Sequence, residues 1–141
     1  MQSSHFDAMT AMELRGLIAR REVSPVEVTR RALDKAEATQ NSLNAFFILM
    51  PDKALAAAKA AEDAVMRGDA LPPLHGVPFS AKDLIAVGGE RFAFGSRCMV
   101  GNIAAADAPS VERVSRATTV RTVRASPVRV PIGCGSPNPP A

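Results

Sequence analysis

The sequence has no tryptophan and no tyrosine, and six phenylalanines are its only large aromatic side chains. Its two cysteines, Cys98 and Cys134, give neither a disulfide framework nor the spacing of a metal site. No run of about eighteen apolar residues occurs, which excludes a membrane-spanning helix. The opening Met1-Gln-Ser-Ser-His-Phe-Asp-Ala lacks the basic and then apolar stretches of a secretory signal. These absences point to a globular chain of the reducing cytoplasm, and Cys98, with no histidine or helix start beside it, reads as an inert thiol. With 141 residues, 47% hydrophobic and 22% charged, the chain is long enough for one core.

Acid is missing as well, but only at one end. Residues 1–114 hold thirteen of the seventeen Lys and Arg and all fourteen Asp and Glu, a balance of −1. Residues 115–141 hold Arg116, Arg121, Arg124 and Arg129 with no acid, so the net charge of +3 comes entirely from this stretch. The same stretch lacks Leu, Phe, Met, Lys, His and Gln and carries five of the eleven prolines. The change of vocabulary divides the chain into a unit over 1–114 and a basic, Pro- and Arg-rich tail over 115–141, disordered or read in a shifted frame.

What is present reads as helices alternating with short strands. Thr10 and Glu13 form a capping box for a helix from Ala11 to about Arg20, with Leu14, Leu17 and Ile18 as its apolar stripe. Ser24-Pro25-Val26-Glu27 combines a capping serine, a proline in the first turn and a glutamate able to reach back. The helix it opens runs to about Thr39, with Val28, Leu33 and Ala36 facing inward and Asn41 and Asn44 breaking it. Ala45–Leu49 is a buried strand. Asp52 caps an alanine-rich helix over Lys53–Arg67, closed by Gly68. Val77–Ile85 is a second strand, and Asp107-Ala108-Pro109-Ser110-Val111-Glu112 opens a further helix. Two strands alone make a marginal sheet, so the pattern describes an α/β unit that is incomplete.

One stretch carries candidate chemistry: Leu74-His75-Gly76-Val77-Pro78-Phe79-Ser80-Ala81-Lys82-Asp83. A lysine within an apolar strand is unusual. If buried, Lys82 favours its neutral form and can accept a proton as a general base. The plain alternative is an exposed lysine paired with its neighbour Asp83. His75, between Leu74 and Gly76, reads as a turn residue with a local hydrogen bond rather than a catalytic imidazole.

Residues 10–113 resemble the amidase-signature family in an ordered series. The likeness runs through Glu13-Leu14, Ser24-Pro25-Val26-Glu27, Asn44-Ala45-Phe46 and the alanine-rich helix. It is sharpest at Leu74-His75-Gly76-Val77-Pro78 with Lys82-Asp83, and continues in Gly95-Ser96 and Asp107–Val114. The resemblance implies the N-terminal part of a mixed sheet wrapped by helices, here incomplete and with an irregular tail. It implies hydrolysis of small-molecule carboxylic amides by a Ser–cis-Ser–Lys triad in which Lys82 is the lysine. It implies no metal, no organic cofactor and no membrane.

The departure from the family is equally definite. The Gly-Gly-Ser-Ser-Gly-Gly stretch that holds the bridging serine is absent from the 141 residues, and so is the nucleophilic serine beyond it. Ser80, Ser96, Ser110, Ser115, Ser126 and Ser136 lie in other contexts, and Gly133-Cys134-Gly135-Ser136 matches only superficially. The expectation is a truncated hydrolase that is inactive alone, partly folded and prone to aggregate, with its sequence from about Ser115 out of frame. The competing expectation is a small helical binding or assembly module whose basic tail contacts nucleic acid. The tail's lack of aromatics for base stacking disfavours that reading. Oligomeric state is left open.

Overall fold

The computed structural model describes residues 8–99, 101–118 and 120–125. Helix α1 spans Ala11–Ala19, and its capping box closes as the sequence requires. The Glu13 amide donates to the Thr10 hydroxyl, and Glu13 Oε2 accepts from the Thr10 amide at 2.7 Å. Helix α2 spans Pro25–Leu43, four residues beyond the expected end at Thr39. Asn41 lies inside it, while Asn44 ends it by turning left-handed at φ 46°. Ser24 caps α2 by accepting from the Val26 amide at 3.0 Å. Its hydroxyl then donates to Glu62 Oε1 at 2.6 Å, which is how α2 is tied to the following helix.

Strand β1 is Phe46–Leu49 and helix α3 is Pro51–Arg67. Pro51 rather than Asp52 sets the start of α3. The proline lacks an N–H that would otherwise go unpaired, and Asp52 falls in the first turn, where its charge faces the positive end of the helix dipole. Gly68 closes α3 left-handed at φ 79°. Ala54, Ala58, Ala61 and Val65 recur at helical spacing on the buried face of α3. The three alanines are fully buried, and their small side chains let neighbouring backbone approach closely.

Strand β2 is Phe79–Lys82, shorter than the expected Val77–Ile85 because the chain turns at once, the Ile85 amide donating to the Lys82 carbonyl at 2.9 Å. Helix α4 runs Pro109–Ala117 and strand β3 Arg121–Ala125. The sheet order is β1-β3-β2, with β3 antiparallel to β1 and parallel to β2. The two strands expected from sequence are therefore the sheet's edges, and the strand between them comes from the stretch set aside as tail.

That stretch is the principal correction. Helix α4 continues three residues past Val114. Thr118 and Val120 are buried at 1% and 0% exposure, and Val120 packs against Ala58 and Ala61 of α3. The Thr118 hydroxyl donates to the Val77 carbonyl, and the Leu74 amide donates to the Ala117 carbonyl at 2.9 Å. Little in residues 115–125 signals this, because a strand paired on both sides draws its burial from its neighbours and needs no apolar run of its own. The expectations for residues 126–141 lie outside the described residues.

Among the described residues the core holds four clusters. Ile18, Val23, Val28 and Val65 join α1, α2 and α3, while Leu33 and Ala54 join α2 and α3 over Phe46 and Leu49. Val120 with Ala58 and Ala61 forms the third, and Ala81, Val87 and Val111 join β2 to α4. Among the described residues, no helix is long and apolar enough to cross a membrane.

Candidate active site

The candidate site is built on the end of β2. The turn before it is fixed by Gly76, which sits at φ +76°, where a side chain is strained. A Cβ there would lie 3.0 Å from Pro25 Cγ and 3.2 Å from Ile18 Cδ1. Glycine is required by conformation and by space together. His75 lies in the same turn, as expected, with its amide donating to the Pro72 carbonyl at 3.1 Å, but its ring is buried at 2% exposure and bonds at long range. Its Nε2 donates to the carbonyl of Ala61, fourteen positions back on α3, at 2.9 Å. Its Nδ1 is buried with no partner among the described residues. The histidine is thus a cross-brace between the turn and α3. The Ala61 carbonyl, which sequence cannot place, adds that role to the turn position.

Alternation along β2 then sorts the side chains. Phe79 and Ala81 face the Val87–Val111 cluster, whereas Ser80 and Lys82 are exposed. Lys82 stands in register with Ala125 of β3. The burial that would make this amine a base is not supplied by the described residues. The plain alternative holds in part: Lys82 is exposed, as that reading has it, while Asp83 is turned into the fold rather than toward the amine. Asp83 is 2% exposed and accepts from the Ala93 amide at 3.1 Å through Oδ1 and from the Gly95 amide at 2.8 Å through Oδ2. A buried carboxylate needs such donors, and backbone amides supply them. Sequence reading missed this role. The signal available was an acid placed twelve positions before a glycine in a loop-forming run.

The loop after β2 is pinned at further points. The Gly88 amide donates to Asp107 Oδ1 at 2.8 Å, so Asp107 ties this loop rather than capping α4, whose N-cap is Ala108. Arg91 and Ile103 bridge across it. Ser96 is half-buried, its hydroxyl accepting from the Cys98 amide at 3.3 Å. Among the described residues no serine is hydrogen-bonded to Lys82, and no cluster of His, Cys, Asp and Glu could hold a metal.

Away from this site, Lys59 bonds Glu62 at 2.7 Å and Asp63 at 3.2 Å. The bond from Lys59, and then that from the Ser24 hydroxyl, holds the Glu62 carboxyl below its usual range. Glu62 and then Asp63 raise the Lys59 amine.

The comparisons with known proteins agree with this architecture. The profile of the amidase family matches residues 27–140, past the boundary drawn at Val114. The A subunit of glutamyl-tRNA(Gln) amidotransferase from Geobacter sulfurreducens is 40% identical over 112 residues, covering 79% of this chain and 23% of the relative. Among solved structures, fatty acid amide hydrolase superposes with a TM-score of 0.81 at 25% identity, over 88% of this chain and 22% of that one. An inhibitor-bound vestigial protein complex bearing on the origins of an s-triazine catabolic enzyme superposes at 0.78 with 31% identity, over 84% and 26%. The chain spans about a quarter of the length of the relatives it matches. On the extent of the family match, this chain belongs to the amidase family.

Proposed function

We propose that this chain supplies the lysine of a Ser–cis-Ser–Lys amide hydrolase, as Lys82, and that the 141 residues alone do not turn over amides. The observation in favour is the placing of Lys82 at the exposed end of β2, with its acidic neighbour turned into the fold and committed elsewhere. In the whole protein the neutral amine takes a proton through a bridging serine from the nucleophilic serine. The nucleophile attacks the amide carbonyl, ammonia or an amine leaves, and water releases the acyl group. Backbone amides of a glycine-rich loop stabilise the oxyanion. Neither serine context occurs in this sequence, so the base has nothing to activate.

The substrate class is a small-molecule carboxylic amide, with no metal or cofactor and no membrane partner. A nucleic-acid partner finds no support. Arg116 is paired with Glu112, and Arg121 and Arg124 belong to β3 rather than to a free basic tail.

Incubated with a panel of aliphatic and aryl amides, the purified chain is expected to release no ammonia above buffer. Turnover that vanishes in Lys82→Ala would overturn the claim of inactivity. Joined to the Gly-Gly-Ser-Ser-Gly-Gly-containing remainder of an amidase, the chain should gain turnover that Lys82→Ala abolishes. Turnover indifferent to Lys82 would refute its assignment.

A further inference from the structure

We infer that Asp83 is the positioning residue for Lys82: its carboxylate locks the end of β2 to the 92–96 loop and thereby fixes the lysine's backbone. The inference rests on the reading of Lys82 as the acting amine, and its geometry is independent of that reading. Four observations carry it. Asp83 follows directly on the last residue of β2 and is buried at 2% exposure. Its two oxygens each take one loop amide, at 3.1 and 2.8 Å. The loop that offers these amides is strained, for Phe94 and Gly95 are consecutive left-handed residues at φ 53° and 69°. Lys82 itself is held by its carbonyl, which accepts from the Ile85 amide within the turn that contains Asp83.

The strain decides the direction of the argument. A phenylalanine at positive φ is sterically unfavourable, so the loop does not curl this way for its own sake. Hydrogen bonds to a carboxylate are among the stronger ones a backbone amide can make, and two of them offset that cost. The tilted ring pair Phe92–Phe94, with centroids 4.1 Å apart, adds to the same curl. Asp83 and the loop therefore hold each other. The turn between them carries the Lys82 carbonyl.

The test is amide hydrogen exchange on the full chain in Asp83→Ala and in the isosteric Asp83→Asn. In Asp83→Ala the amides of Ala93, Gly95 and Ile85 should each exchange about tenfold faster or more, while amides within α1–α3 stay within about twofold. Asp83→Asn retains one carbonyl oxygen, so one of the two loop amides should keep most of its protection. Lys82→Ala should leave all three amides unchanged. If Ile85 keeps its protection while Ala93 and Gly95 lose theirs, Asp83 holds the loop alone and the inference fails. It fails equally if protection falls uniformly through α1–α3, because Asp83 is then a core residue and no more. Failure of the Lys82 assignment would show in the turnover of the joined protein and would leave this exchange pattern intact.

Discussion

Helices α1 to α3 and the segment 115–125 are built on opposite principles. The helices announce themselves locally: a capping box at Thr10 and Glu13, a Ser-Pro start at residues 24 and 25, a closing glycine at 68. Each signal acts within a few residues of the structure it sets. Segment 115–125 has none of these, and its residue types are those of a tail. Yet Thr118 and Val120 are among the most buried side chains of the molecule, and β3 is the strand on which both others lean. Local chemistry specifies an element that can partly form alone. It says little about an element that is completed by its surroundings.

Removing the second region is the strongest way to break this comparison. A chain ending at Val114 loses β3, Thr118 and Val120, leaving β1 and β2 without a common partner. Thermal denaturation followed by circular dichroism should lose its cooperative transition while helical signal persists. A truncated chain that melts as sharply as the full one would return 115–125 to the status of a tail.

A single side chain sharpens the same point. Val120→Ala removes two methyl groups from a site with no exposure, against Ala58 and Ala61. A cost of about 1–3 kcal/mol is expected from lost burial and the cavity left behind. Urea denaturation should show it as a lower midpoint with unchanged slope. A change under about 0.5 kcal/mol would mean that Val120 is not packed as described.

The smallest effect belongs to the helical region. The Glu62 carboxyl is held low by Lys59 and Ser24, so its contribution is present above its ordinary value of 4.5 and fades as the pH falls through the lower folded value. The Lys59 amine is raised, so its contribution is complete below 10.5 and fades as the pH rises through the higher folded value. Glu62→Gln should flatten the acid limb of stability against pH only slightly, because the pair is largely solvent-exposed. A large change at neutral pH would instead point to the Ser24 bond as the important one.

Much of the fold was therefore legible. Thr10, Ser24, Gly68 and the run Phe46–Leu49 carry their structural instructions in their own side chains, as do the alanines of α3. Asp52 misled because a preceding proline made a side-chain cap unnecessary. In the site, Lys82 could be picked out as a lysine in a strand, but its exposure depends on what covers that face. Asp83 and His75 were misjudged for one reason. Each is satisfied by backbone groups ten or more positions away in sequence, and a partner that is not a side chain leaves no pattern to read.

The place of β3 also has a consequence in time. Phe46 pairs with Ala125, and Phe79 with Arg121, so neither edge strand has a hydrogen-bonding partner until the residues of β3 exist. During synthesis α1, α2 and α3 can pack through Ile18, Val28 and Val65 as soon as they emerge. The sheet must wait for nearly the whole of the described chain, closing long loops in a single late step. In the interval β1 and β2 present unpaired edges, which is when a nascent chain of this design is most exposed to mispairing with its neighbours.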